Sequence, residues 1–312
     1  MAVFITGGHG HIGSWAAKYL AEAGEHVLIY DVNPTAPDCL KDCREQITFF
    51  QGDVMDFPRL ADVCRQNRGK VQGILHTVGI MGELVLENTY RNVALNIGGT
   101  HNILEIARQF EIPRVVYTSS GAVYGAVPGI VAEDQAPLNP ADIYSATKAA
   151  SEMLGRQYAR TYGFEFRISR VYFCYGPGKW PSRFIRLYRV AFGALEGLEG
   201  LQMDRGADQK LDFTYIEDAA RGTAMLYLAE NPPHAAYNIA TGIPSRVGEV
   251  ARLAQKFSAH PVEVALGPGT LMERCEALNI RRAREELGFA PLFTLESGMQ
   301  RYADWMKRNP LT

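Results

Sequence analysis

This sequence has no cysteine pair in C-x-x-C spacing, no hydrophobic run of membrane-spanning length and no block of like charge. Each absence removes a class of protein. The cysteines (Cys39, Cys43, Cys64, Cys174 and Cys275) are odd in number, and Cys39 and Cys43 lie in a polar segment without a matching Cys/His pair. Neither a disulfide framework nor a metal site is expected, and the thiols read as reduced thiols of a cytoplasmic protein. No apolar stretch approaches the roughly 18 residues that cross a bilayer. Ala2-Val-Phe-Ile-Thr6 reads as a strand feeding a loop, not as a signal peptide. The formal net charge is only -2, so neither nucleic acid nor an anionic membrane is an expected partner. Repeats and low-complexity tracts are also missing. What remains is a chain of 312 residues, 47% apolar and 21% charged, which suits a globular protein of one large domain or two.

Short apolar runs at 2–6, 26–30, 47–54, 71–76 and 114–120 alternate with helical spacing at 14–23, 57–68 and 87–110. That rhythm predicts an α/β architecture, a doubly wound parallel sheet of the Rossmann type with both faces covered. Beyond about residue 170 it breaks into short segments between Gly/Pro turns, such as Pro177-Gly178, Pro232-Pro233 and Gly267-Pro-Gly269. Two parts are therefore expected. Residues 1–169 form the sheet domain. Residues 170–312 form a smaller substrate-binding region, some of whose segments return to the sheet, closed by a helix from Leu295 to Lys307. Arg281, Arg282 and Arg284 read as a solvated helix face.

In such sheets ligands gather at the strands' C-terminal ends, where Gly7-Gly-His-Gly10-His-Ile-Gly13, Asp31, Asp53, His76 and Ser120 would converge. Glycines between a strand and a helix allow a tight turn and let backbone N–H groups approach a pyrophosphate, whose charge the helix N-terminus favours. A glycine turn by itself equally suits a βαβ unit that binds nothing. Asp31 ends the second strand, placed to accept the ribose hydroxyls of NAD and to repel the 2′-phosphate of NADP. No Arg or Lys follows it until Lys41, so NAD is the expected cofactor. Asp53 is placed either for the adenine amino group or as a structural turn aspartate. Tyr144 and Lys148 stand four apart in a run with helical spacing, Ile143 to Tyr162, and so share one face. An ammonium beside a phenol favours the phenolate, making Tyr144 a candidate proton acceptor for an alcohol. Y-x-x-x-K alone equally describes a Tyr and a Lys on a solvated helix face.

Taken in order, several motifs resemble one family. They are Thr6-Gly-Gly-His-Gly-His-Ile-Gly13, Asp31, Gly52-Asp-Val54, Asn96-Ile-Gly-Gly-Thr100 and Thr118-Ser-Ser-Gly-Ala-Val-Tyr-Gly125. Tyr144-x-x-x-Lys148, Arg170 ahead of Tyr175-Gly-Pro-Gly178, Asp212-Phe-Thr-Tyr-Ile-Glu-Asp218, Tyr237-Asn-Ile-Ala-Thr-Gly242 and Ala283-x-x-Glu-Leu-Gly-Phe289 follow. The chain is thereby identified as similar to the extended short-chain dehydrogenase/reductases of the NAD-dependent epimerase/dehydratase family. The resemblance implies that Tyr144 is the acid/base group and that Lys148 orients the nicotinamide ribose and lowers the Tyr144 pKa. Ser120 would bond the reacting oxygen. It also places Gly7, Gly10, His11, Ile12, Gly13, Asp31, Asp53, Val54, His76, Asn96, Tyr144 and Lys148 at the cofactor. Asn96 has a packing or capping role as its alternative. Thr77-Val78 and Gly79-Ile-Met-Gly82 depart from the family's small pair. A homodimer through the helices bearing Asn96 and Tyr144 is a further expectation from the resemblance.

Three departures bear on the chemistry. Dehydratases and decarboxylases of the family carry a carboxylic acid directly after the catalytic Ser/Thr, and fucose-synthase-type members a Cys; here Gly121 and Ala122 follow Ser120. Nucleotide-sugar members commonly hold the diphosphate with an Asn and an Arg, where this chain has Phe173 and Leu211. Lys210, Arg183, Arg186 or Arg246 could replace them. The aromatic stretch from Val171 through Trp180 and Phe184 suits a small or partly apolar substrate, or is ordinary core. The expected activity is an NAD-dependent oxidoreductase acting on a secondary alcohol of a sugar-like molecule, favouring a sugar or sugar acid without a nucleotide. Ser120, Phe173 and Arg183 are its expected substrate contacts. The alternatives are a nucleotide-sugar 4-epimerase of the UDP-glucose type and a non-catalytic dinucleotide sensor.

Overall fold

The structure, a computed structural model, describes residues 2–81, 84–135, 137–183, 185–259 and 261–309. Gly82 and Phe184, named above, lie outside the described residues. Seven strands form the central sheet: β1 (Ala2–Thr6), β2 (His26–Asp31), β3 (Ile47–Gln51), β4 (Val71–His76), β5 (Arg114–Ser120), β6 (Glu165–Val171) and β7 (Ala236–Ile239). Their spatial order is β7-β6-β5-β4-β1-β2-β3, and every neighbouring pair is parallel. Strand β1 is buried along its whole length, as its unbroken apolar run requires when helices cover both faces. The order reverses between β1 and β4, which opens a crevice at the C-terminal edge, directly above the glycine turn that follows β1.

The longer helices are α1 (His11–Glu22), α2 (Phe57–Gln66), α3 (Thr100–Gln109), α4 (Ile143–Tyr162), α5 (Arg186–Glu196), α6 (Ile216–Leu228), α7 (Val247–Phe257) and α8 (Leu295–Arg308). On one face of the sheet, Ala16, Ala17 and Leu20 of α1 share a core with Ala219, Ala220 and Ala224 of α6. On the other, Leu60 and Val63 of α2 pack with Ile103 and Leu104 of α3. A third core, rich in aromatics, joins α5, α7 and α8 around Tyr175, Phe192, Phe213 and Tyr302. Strand β7, far along the chain, returns to the sheet beside β6.

Two helices show how local sequence and tertiary packing divide the work. Helix α4 has the bounds its spacing predicts: Asp142 caps it, accepting from Ser145 N at 2.7 Å while Ser145 Oγ accepts from Asp142 N, and Gly163 ends it at φ +79°. The expected continuous helix from 87 to 110 is instead broken into Leu84–Glu87, Thr89–Ala94, a wide turn at Leu95–Gly99 and α3. Gly98-Gly99 supports a helix poorly, and Gly99 is pressed against Val54, whose Cγ2 would lie 2.9 Å from any added Cβ. The widened turn brings Asn96 inward, a local irregularity of the kind found at functional sites. At the other end of the chain Arg282 is not simply solvated: it reaches Ala236 O and pairs with Asp134, tying the last part of the chain to the sheet.

Candidate active site

The crevice floor is the glycine turn. Gly7 has φ +74°, which an L side chain rarely adopts. A Cβ on Gly13 would lie 2.1 Å from Gly7 O, and one on Gly8 2.7 Å from Ile29. Thr77, one of the departures from the family pattern, fits this packing: its hydroxyl sits 2.9 Å from Thr6 O and 3.0 Å from Gly7 O, bracing the turn from below. Helix α1 begins at Gly10 with no side-chain cap and no acid in its first turn. Its first N–H groups and positive dipole end are thus presented to an anion. His11 and Ile12 contribute backbone to that end. The His11 ring turns away, with Nε2 3.2 Å from Gly176 O, and burial beside Lys179 lowers its pKa to about 3. Together with the Trp15 indole, which donates to Pro177 O, it fastens the turn to the Gly176-Pro177 segment.

Around the turn, Asp31 accepts from His9 N and Asn33 N, both at 2.9 Å, which fixes its carboxylate at the end of β2. Asp53 Oδ1 accepts from Met55 N, a turn-capping bond. The Val54 side chain is core. His76 is buried and both ring nitrogens are engaged, Nδ1 with Thr6 Oγ1 at 2.7 Å and Nε2 with Thr100 Oγ1 at 3.1 Å. Since the Thr100 hydroxyl donates to Asn96 O, Nε2 carries the proton and Nδ1 accepts from Thr6. Burial and the nearby Lys148 charge hold this ring neutral, with a pKa of about 3. The His76 imidazole is therefore a strut between the glycine turn and the 95–99 turn. Asn96 clamps Ile80 through both N–H (2.9 Å) and C=O (3.0 Å) and donates to Thr147 on α4. Its side chain joins the 77–81 loop to the helix of Tyr144.

Above the turn, β5 ends in Ser120, whose hydroxyl lies close enough to the Tyr144 phenol to favour its ionised form. Lys148 lies on the same helix face; its Nζ donates to Thr118 O at 2.8 Å and sits 4.8 Å from the centre of the Tyr117 ring. Burial pushes the Tyr144 pKa up to about 12, and the neighbouring Ser120 hydroxyl opposes that rise. The Lys148 ammonium is bound to a backbone carbonyl rather than to the phenol, and burial lowers its own pKa to about 8. As folded, Tyr144 is a neutral phenol at neutral pH.

The opposite wall is aromatic. Phe173 has φ +34°, unusual for a bulky residue, and its ring contacts Tyr172, Tyr188 and Phe213 at centroid distances of 4.7, 6.0 and 5.9 Å. Cys174 and Tyr188 lie close enough to act electrostatically on each other, and each is near Tyr144. Arg183 is exposed in the turn Pro181–Arg183, where it lines a cleft of about 560 Å³ with Arg186, Arg189 and Gln202. Lys210 is paired with Glu276 at 3.3 Å, and Arg246 with Glu249 at 3.4 Å. Sequence reasoning missed two charged residues beside the site. Arg274 donates to Ala122 O at 3.0 Å and pairs with the helix cap Asp142; no local signal marks it. Glu152 is buried beneath Lys148, and its i+4 spacing from that residue was a usable signal.

Residues 3–240 match the model of the NAD dependent epimerase/dehydratase family. A putative UDP-glucose 4-epimerase of Methanocaldococcus jannaschii is 28% identical over 320 residues, which cover 99% of this chain and 100% of the relative. The UDP-glucuronate 4-epimerase of Thermodesulfobacterium geofontis is 26% identical over 318 residues, covering 98% and 96%. The crystal structure of the Thermus thermophilus UDP-glucose 4-epimerase in complex with NAD is similar at TM-score 0.84 and 26% identity, covering 100% of each chain. With the parallel sheet, the glycine cradle at its switch point and a family match across most of its length, this chain belongs to the NAD dependent epimerase/dehydratase family.

Proposed function

We propose that this protein is an NAD-dependent epimerase that inverts a secondary alcohol of a nucleoside diphosphate sugar. NAD suits the cradle: the uncapped start of α1 meets a pyrophosphate, and Asp31 is held where ribose hydroxyls would lie. The chemistry that the dinucleotide supplies when bound is reversible hydride transfer. Ser120, Tyr144 and Lys148 are the residues assigned to the reaction. Tyr144 exchanges the hydroxyl proton, Ser120 holds the same oxygen, and Lys148 contributes positive charge beneath them. With a pKa of about 12, Tyr144 stays protonated at neutral pH and cannot accept the hydroxyl proton as it stands. Its deprotonation therefore depends on charge brought into the site, which ties proton removal to a loaded cofactor site.

The observation that carries epimerisation over dehydration is at Gly121. A Cβ there would lie 2.7 Å from Tyr172 and 2.8 Å from Leu278, so the residue after Ser120 has no room for the acid that elimination requires. The expectation of a free sugar rested on Phe173 and Leu211 standing where phosphate ligands are common. The relatives support the nucleotide-sugar alternative instead. Arg183, Arg186 and Arg189 give the cleft beside α5 the positive charge that a diphosphate needs, and Tyr188 of the same helix faces Tyr144. In this reading residues 170–309, apart from the end of β6, α6 and β7, are the substrate half. A second copy of the chain would pack on the exposed apolar side chains Leu86, Tyr90, Met153 and Tyr162, on the short helices before Asn96 and on α4.

The test is to incubate the purified protein with UDP-glucose and UDP-glucuronate, following epimer formation by chromatography and NADH by absorbance. Epimer without net NADH is the expected result. Net NADH from a free sugar or sugar acid, with no conversion of nucleotide sugars, would overturn it.

A further inference from the structure

Glu152 stands four residues beyond Lys148 and eight beyond Tyr144 on α4, and its side chain is 0% exposed. Three bonds hold its carboxylate: Ser119 Oγ donates to Oε1 at 2.6 Å, Arg170 Nε to Oε1 at 3.0 Å and Arg170 Nη2 to Oε2 at 2.6 Å. Arg170 also donates to Tyr124 OH at 2.8 Å, and that hydroxyl donates to Asn238 Oδ1 at 2.8 Å. Through this one carboxylate the ends of β5, β6 and β7 are tied to α4 directly beneath the crevice. Ser119 lies between Thr118, whose carbonyl takes the Lys148 ammonium, and Ser120, whose hydroxyl lies beside the Tyr144 phenol. Stability alone does not account for such an arrangement, because apolar packing stabilises a core at least as well as a buried ion pair does.

We propose that Glu152 is a positioning residue for the reaction. It sets the register of Thr118–Ser120 against the helix that carries Tyr144 and Lys148, and it supplies the negative charge that keeps the buried Lys148 an ammonium. The inference rests on the roles assigned to Tyr144 and Lys148 above. Facing Glu152 are Arg170 of β6, Ser119 and Tyr117 of β5, Tyr124 beyond β5, and Lys148 and Arg156 of α4 itself; His76 of β4 and Tyr117 face Lys148. Of the groups acting on Lys148, burial favours the neutral amine and Glu152 opposes it.

Glu152→Gln removes the charge and keeps the shape, but leaves Arg170 uncompensated and could cost the fold. The double variant Glu152→Gln/Arg170→Met removes both charges and serves as the folded control, verified by circular dichroism and NAD binding. Two readouts follow. Nucleotide-sugar turnover should fall about a hundredfold in kcat with little change in KM, the pattern of lost alignment. The Lys148 15N resonance, identified by its loss in Lys148→Met, should titrate with about tenfold weaker proton affinity, roughly one pH unit lower. Glu152→Asp, with a carboxylate one methylene shorter, should restore the titration and not the turnover. A folded double variant with wild-type kcat and an unshifted Lys148 midpoint would overturn the inference. If the wild-type protein turns over no sugar, the assigned function fails, and the Lys148 titration still decides the role of Glu152.

Discussion

The two walls of the crevice are built in different ways. The cofactor wall is backbone: glycines at 7, 8, 10 and 13, the open N-terminus of α1, and Asp31 and Asp53 held by main-chain N–H groups. The wall that our proposal gives to the substrate is side chain: Phe173, Cys174 and Tyr188 near Tyr144, and the arginines of the cleft beside α5. Backbone ligands survive most substitutions and need only glycine where a Cβ would collide. Side-chain ligands can be exchanged one at a time. A fold built this way keeps its dinucleotide while its substrate wall drifts, and this chain can then lack two common diphosphate ligands and still match nucleotide-sugar epimerases along its whole length.

Four variants would break or sharpen that contrast, from the largest effect to the smallest. Tyr144→Phe removes the proton-handling atom and leaves the cradle intact. Turnover should fall about a thousandfold while NAD affinity, measured by calorimetry, stays within a factor of two or so. Unchanged turnover would remove Tyr144 from the chemistry. Gly13→Ala attacks the other wall, pressing a methyl into Gly7 O; NAD affinity should weaken about a hundredfold with a lowered melting temperature. A variant that binds NAD normally would show that the cradle is not the cofactor site. Arg183→Ala/Arg189→Ala should raise KM for a UDP-sugar about tenfold and leave kcat nearly unchanged, the loss of one or two charge-assisted contacts. An unaltered KM would move the diphosphate elsewhere.

The smallest effect expected is on stability. Folding lowers the Lys148 pKa from its ordinary 10.5 to about 8. The folded state therefore binds fewer protons between those values, and this residue's contribution makes stability rise with pH from about 8 to 10.5. Below pH 8 or so the penalty of burying the ammonium is constant. Lys148→Met should raise the melting temperature at neutral pH by a few degrees and flatten that rise, while turnover is lost. A fall in melting temperature would mean that the bonds to Thr118 O and the Tyr117 ring outweigh desolvation.

Much of the architecture was legible because its causes are local. The Asp142 cap and Gly163 stop bound α4, and the glycine spacing after β1 marks the turn. The broken helix before Thr100 was not legible, since Gly99 is pressed by Val54, forty-odd residues earlier in the chain. His76 looked like a cofactor contact because it ends a strand at the right edge, and its two hydroxyl partners come from β1 and α3. The free-sugar reading, which the relatives do not support, leaned on the same kind of local evidence. It took two absent ligands as the loss of a function, when charge can return from another segment such as Arg183 and Arg189.

By itself the sequence determined the sheet, its cofactor turn and the shared face of Tyr144 and Lys148, because backbone conformation and helical spacing are set by neighbours along the chain. Only the tertiary structure decided the state of those groups: a Tyr144 pKa pushed up to about 12, a Lys148 bound to Thr118 O, and a Glu152 paired with Arg170. Desolvation and charge pairing sum over everything packed around an atom, and most of that arrives from distant parts of the chain.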